Sequence, residues 1–252
     1  MFNIIRNMRR RYIIKNNAIP DKLWNDTIEL LRVFDRLSTG ELKRLRKVTT
    51  LFLVKKTFTA VQGFELTNQM KLTIAAQACL PILNLDIDYY DGWLEIVVYP
   101  SNFVVNRNIT SEEGIVSNQT STLSGEAWSR GPVVLSWSDI ELDSLTLREG
   151  HNVIIHEFSH KLDMLNGRAN GMPPLHPKME RKEWTESLSK AYELLKNNLE
   201  YHYKYYINEY AATNPAEYFA VVSEYFFTAP EVLIKHRPKV YKQLVLFYKQ
   251  RP

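Results

Sequence analysis

Asn152–Asp163 reads NVIIHEFSHKLD, and this stretch decides how the rest of the chain is read. Two histidines and a glutamate stand among Val153, Ile154, Ile155, Phe158 and Leu162. Burying ionisable groups costs free energy unless they are paired or bound to a metal. The spacing predicts a helix over Asn152–Leu165, with Gly167 just beyond it as a stop. Ile155, Phe158, Leu162 and Leu165 then share one face at i, i+3, i+7 and i+10. His156 and His160, four apart, lie one above the other on a neighbouring face and can converge on one point, as tetrahedral zinc requires. Glu157 is turned about 100° away by the helix period. It is placed to reach a water in an open coordination position rather than to complete the tetrahedron. Residue types and spacing match H-E-x-x-H, the two ligands and general base of a zinc hydrolase. The plain alternative, two core histidines beside a solvated glutamate, needs a separate buried partner for each ring.

A hydrolytic zinc site takes a third protein ligand and keeps a fourth position open. His151, His176, His202 and downstream carboxylates are the candidates. His151 precedes His156 by five residues and falls off the ligand face. A metzincin would carry Gly at position 163 and a ligand at 166; Asp163 and Asn166 exclude that class. Glu217 lies in YAATNPAEYFAVVSEYFF (Tyr210–Phe227), where Asn214 can cap a helix, Pro215 takes its first position and Glu217 falls in the first turn. Spacing alone leaves Glu217 level with Glu224, two turns later on nearly the same face. Asp163, three residues after His160, is a candidate to orient a ligand imidazole.

Outside these segments the composition is ordinary. Of 252 residues, 45% are hydrophobic and 24% charged, with a net charge of +4, which fits a soluble globular protein and not a disordered one. No basic run interleaved with aromatics indicates a nucleic-acid surface, so no direct nucleic-acid partner is expected. Cys79 is the single cysteine, so no internal disulfide forms, which suits a reducing cytoplasm. The uncharged run Leu72–Leu85 is shorter than the roughly 20 residues of a bilayer-spanning helix. The N-terminus, MFNIIRNMRRRYIIKNN, mixes charges into its apolar residues and lacks the features of a signal peptide. It is expected to be a basic terminal segment, with a membrane-surface helix as the alternative. Sequons at Asn25, Asn108 and Asn118 carry no weight without a secretion signal.

Along the chain, the first third shows helical periods from Pro20, over Glu41–Val54 and over Asn68–Leu80. WLEIVVYP (Trp93–Pro100) and GPVVLSW (Gly131–Trp137) have the β-branched and aromatic character of strands. EGIVSNQTSTLSG (Glu113–Gly125), between them, is consistent with a hairpin or two short strands. From Arg148 onward helices return. Helices, then strands, then helices predict an α+β fold rather than repeated βαβ units.

QGFEL (Gln62–Leu66), LPIL (Leu80–Leu83), GPVVLSW, HEFSHKLDMLNG and YAATNPAEYFAVVSEYFFTAPE together resemble the Mlc titration factor A family of bacterial zinc peptidases, from about Thr50 to Tyr248. That family is of gluzincin type, with a catalytic core like that of anthrax lethal factor. The resemblance implies a zincin-like metallopeptidase domain over residues 21–252, with a small, mostly antiparallel sheet among surrounding helices. It is helical over 21–90, strand-rich over 91–140 and metal-binding over 150–250, and it follows the basic segment 1–20. One Zn²⁺ per chain is implied, with His156, His160 and Glu217 as ligands, Glu157 as catalytic base and Tyr210 as donor to the oxyanion. The implied activity is aminopeptidase-like hydrolysis of peptide or protein substrates. The family's namesake also binds the repressor Mlc, so the resemblance extends to a regulatory role in sugar uptake; a protein that sequesters a transcriptional repressor of the Mlc type, with peptidase activity secondary, is the alternative reading. The basic N-terminal segment shows no match to the family, and the chain stops at Pro252, soon after the last shared helix. Thermolysin-like enzymes carry Asp four residues after the ligand Glu; here that position is Val221, so the groups behind the ligands must be arranged differently. The strand Val133–Trp137 is the expected sheet edge for a bound peptide.

Overall fold

A computed structural model describes residues 2–110, 116–123, 125–127, 131–146 and 148–252. It opens with helix α1 (Phe2–Asn16), followed by α2 (Asp21–Glu29), which starts directly after Pro20. Helix α3 (Thr39–Lys55) begins at a capping box. The Ser38 hydroxyl accepts from the Glu41 N–H, and the Glu41 carboxylate accepts from the Ser38 N–H. Strand β1 (Thr57–Ala60) then leads to α4 (Asn68–Cys79), whose residues Leu72 to Cys79 are all buried. Helix α4 has no polar face because it runs through the interior and packs against α2, α3 and a later helix carrying the two histidines.

Next come β2 (Glu95–Tyr99), β3 (Phe103–Thr110), β4 (Val116–Leu123), β5 (Gly125–Ala127) and β6 (Val133–Ser136). Strands β3 and β4 pair as an antiparallel hairpin. Residues 113–115 and 124 of the stretch expected to form it lie outside the described residues. The other strands form a sheet of order β1-β2-β6-β5. Here the structure corrects the expected mostly antiparallel sheet: β1, β2 and β6 are parallel, and only β5 on β6 is antiparallel. The cause lies in the connections. Helix α4 carries the chain back between β1 and β2, and the excursion through β3–β5 returns β6 alongside β2 in the same direction. Strand β6 is therefore internal, and β5, not Val133–Trp137, forms the edge.

Helix α5 (Trp137–Thr146) starts where a strand end was expected, earlier than the return of helices read from Arg148. Helix α6 (Val153–Asp163) follows, with the Asn152 side chain accepting from the Ile155 N–H at 2.9 Å. It tightens into a 3₁₀ turn at Met164–Asn166 before Gly167. That change of period turns Leu165 to the surface, 40% exposed, whereas Ile155, Phe158 and Leu162 are wholly buried. The chain closes with α7 (Arg181–Glu200), α8 (Pro215–Thr228), α9 (Pro230–His236) and α10 (Pro238–Tyr248).

Helix α6 lies at the centre of this arrangement. On one side Phe158 meets Phe52, Tyr90 and Trp93, with ring centroids 5.1 to 5.7 Å apart. On another side α8 packs along it. Beyond α8, Phe219 and Phe226 contact Trp184, Phe247 and Tyr248. Packing on both flanks fixes the rotation of α6 and α8, and with it the direction of their polar side chains.

Candidate metal centre

His156 and His160 project from consecutive turns of α6 toward the first turn of α8. There the Asn214 side chain accepts from the Ala216 and Glu217 N–H groups at 2.9 and 3.0 Å. With the helix end capped by Asn214, the Glu217 carboxylate is free to face α6. Its Oε2 lies 3.0 Å from His156 Nε2 and 3.3 Å from His160 Nε2, and the two Nε2 atoms are 3.2 Å apart. Ligands at about 2.05 Å from a tetrahedral zinc stand about 3.3 Å from one another. The three atoms thus outline one face of such a tetrahedron, and they form the group among the described residues that could hold a metal ion.

The surroundings favour a cation there. His156 Nδ1 lies 2.8 Å from Glu224 Oε1, and the other oxygen of Glu224 accepts from the Asn152 N–H at 2.6 Å. An Nδ1–H donated to Glu224 leaves the Nε2 lone pair of His156 directed at Glu217 and His160. Burial alone would raise the Glu217 carboxyl, but hydrogen bonds and charges from His156 and His160 outweigh it and hold the group well below its usual range. For Glu157, 5% exposed, burial dominates and pushes the carboxyl up to about 7 against the pull of both histidines. Three carboxylates, Glu157, Glu217 and Glu224, surround two imidazoles in a largely buried space. Such a cluster carries more negative charge than its own side chains neutralise.

The structure therefore gives Glu217 and Glu224 different places. Glu217 converges with the histidines, whereas Glu224 holds the far nitrogen of His156 and the N-terminus of α6. Asp163 does not orient a ligand ring as expected. Its Oδ2 accepts from the N–H groups of Asn170 and Gly171 at 2.8 and 2.7 Å, because the turn after α6 folds back over it. His151 pairs with Asp143 at 2.8 Å, and His176 Nε2 lies 2.7 Å from the Phe247 carbonyl. His202 sits in the left-handed region just after α7.

Tyr210 stands in a 3₁₀ turn ahead of α8, half exposed, with its ring centroid 5.9 Å from that of His156. Opposite, edge strand β5 passes so close to Glu157 that a Cβ at Gly125 would fall 2.5 Å from Glu157 Oε1. Sequence reasoning missed Gly125, a lone glycine in a polar stretch with no motif around it. Gly125, His156, Glu157 and Tyr210 line both a cleft of about 580 Å³ toward α8 and a pocket of about 230 Å³ toward Glu224. A groove of about 590 Å³ between α7 and α10 contains none of these residues, so volume alone does not mark the site.

Comparison with known proteins agrees with this geometry. The family model described as glucose-regulated metallo-peptidase M90 matches residues 5–249. That range includes most of α1, so the N-terminal segment, expected to lie outside the resemblance, belongs to it. Proteins named Mlc titration factor A are similar over most of their length. The one from Escherichia fergusonii is 41% identical over 232 residues, covering 91% of this chain and 86% of the relative. That from an Enterobacter species is 39% identical over 242 residues (94% and 90%). That from Salmonella arizonae is 39% identical over 242 residues (95% and 94%).

Proposed function

The chain belongs to the glucose-regulated metallo-peptidase M90 family, and from that premise we propose that it hydrolyses peptide bonds at a zinc ion held by His156, His160 and Glu217. The observation that carries this reading is the set of 3.0 to 3.3 Å separations among the three ligand atoms. When bound there, zinc supplies a Lewis acid for the scissile carbonyl and lowers the pKa of a water toward neutrality.

The chain's own residues do the rest. Glu224 holds His156 in the tautomer that presents Nε2, and the Asn214 cap keeps the Glu217 carboxylate aimed across the helix pair. Glu157 takes the water's proton and passes it to the leaving amine; its burial keeps the carboxylate basic enough for that transfer. Tyr210 donates its hydroxyl to the developing oxyanion, and removing such a donor typically costs about 3 kcal/mol, or a hundredfold or more in rate. The substrate backbone lies along β5, the antiparallel edge beside Glu157, and adds to it as a strand. The pocket of about 230 Å³ on one side of Glu157 is small beside the 580 Å³ cleft on the other. That asymmetry supports aminopeptidase-like cleavage near a chain end.

Metal analysis paired with a peptide-library digest of wild type and Glu157→Gln tests this reading. Wild type is expected to carry one zinc and cleave, and Glu157→Gln to keep zinc and lose activity by orders of magnitude. Undenatured protein that holds no zinc and takes none up would refute it. The second reading, sequestration of a transcriptional repressor, is supported by the name of the relatives, Mlc titration factor A. If Glu157→Gln lost peptidase activity yet kept a full regulatory phenotype in cells, that reading would take precedence. A cytoplasmic setting is supported by the chain's single, buried cysteine, Cys79.

A further inference from the structure

Helix α1 turns an apolar, basic face to solvent. Its inner side is fixed to the body of the protein. Arg10 donates to Asp86 at 2.6 and 3.0 Å and to Asp88 at 2.6 Å. Arg6 donates to Asp88 at 2.9 Å, and Ile13 and Ile14 pack on the core. These contacts set the rotation of the helix about its axis. At about 100° per residue, Ile4, Ile5, Met8 and Tyr12 then share one wedge about 100° wide on the opposite side. They are 66%, 59%, 65% and 70% exposed. Arg11 and Arg9 stand at its two margins, and Lys15 follows near the C-terminal end; all three are exposed. No ion pair among the described residues includes them, and α1 contains no acidic residue.

A stripe of large apolar side chains between guanidinium groups calls for a partner that is apolar in its depth and negative at its surface. We propose that the outer face of α1 is a membrane-surface site. It lays Ile4, Ile5, Met8 and Tyr12 into the acyl boundary of an anionic bilayer, while Arg9, Arg11 and Lys15 meet lipid phosphates. Charge complementarity selects this occupant: an anionic bilayer offers negative charge along both margins of the stripe at once, whereas a protein groove would need two matched acidic rims. No described helix is long and apolar enough to cross a membrane, so the attachment is along the surface. Weak insertion by one short face and attraction by three cations are the two signals that reversible membrane binding combines.

The test is sedimentation of the full chain with vesicles of phosphatidylcholine alone or mixed equally with phosphatidylglycerol. Binding is expected to the mixed vesicles at low salt, weakened by high salt, and scant to phosphatidylcholine alone. The exposed-face variants Ile5→Asp/Met8→Asp and Arg9→Glu/Arg11→Glu leave the Arg6 and Arg10 anchors in place. Each is expected to lower partitioning by more than about tenfold, with circular dichroism and peptidase activity unchanged. Wild type that stays in the supernatant with phosphatidylglycerol vesicles overturns the proposal, as do variants that partition like wild type. A protein that ignores vesicles but self-associates through this face, with Ile5→Asp/Met8→Asp monomeric, also overturns it and makes the face a contact between copies.

Discussion

Glu224 joins the first turn of α6 to the His156 ring with its two oxygens, at 2.6 Å to the Asn152 N–H and 2.8 Å to Nδ1. Removing its charge while keeping its shape isolates that role. Glu224→Gln is expected to weaken zinc binding by about 10- to 100-fold, the usual range for a partner behind a ligand imidazole. Glu217→Ala is expected to abolish stoichiometric binding. Competition against a chromophoric chelator measures both, and an unchanged affinity in Glu224→Gln would remove Glu224 from any part in holding metal. A second residue-scale prediction concerns Lys56, buried with its ammonium donating to the Tyr90 and Trp93 carbonyls and lying 3.5 Å from the Trp93 ring centroid. Burial lowers its pKa to about 7, against 10.5 for the unperturbed group. Between those values the unfolded chain holds one proton more than the folded one, so stability rises with pH through that window. Below it both states are charged and the full cost stands. The melting temperature of Lys56→Met relative to wild type is therefore expected to be most favourable near pH 6 and to fall toward pH 10; a pH-independent difference would show that Lys56 is not held near neutrality.

At the scale of elements, β5 and α6 meet where Gly125 faces Glu157. A methyl group at position 125 would fall 2.5 Å from Oε1 and displace either the carboxylate or the strand. Gly125→Ala is expected to lower kcat/KM by a hundredfold or more, with zinc content and melting temperature near wild type. Peptidase kinetics equal to wild type would mean that β5 is free to move away without consequence. This contact also shows where sequence reading stopped. The helical periods of α3 and α6, the Asn214 cap and Pro215 opening α8 were legible, because each depends on residues close in sequence. The positions of the two histidines followed from the same local period. Strand polarity did not, because β2 and β6 pair across more than thirty intervening residues, and strand period says nothing about direction or order. Glu217 and Glu224 tied for a related reason: seven residues apart on one face, they are separated only by where α6 crosses α8.

Across the whole molecule, the candidate metal links α6 to α8, elements far apart in sequence and neighbours in the core. An ion that binds only the folded arrangement stabilises it by mass action, by about 4 kcal/mol when its free concentration is a thousand times Kd. For a chain of this length each kcal/mol moves the melting temperature by roughly 2–4 °C. Stripping the metal is thus expected to lower the melting temperature by about 8–16 °C, because it leaves only His156 and His160 to offset the charge of Glu157, Glu217 and Glu224. Re-addition of zinc is expected to restore the original value, while the same treatment of Glu217→Ala moves it little. Scanning calorimetry before and after chelation checks this against metal content measured on the same samples. A wild-type protein that loses its zinc and melts at an unchanged temperature would mean that the three ligand atoms are held in place by the helix packing alone. The Phe158 cluster on one flank and the Phe219, Phe226 and Tyr248 contacts on the other would then suffice to set the site. The ion would be a passenger in the fold, and its part would be confined to the chemistry.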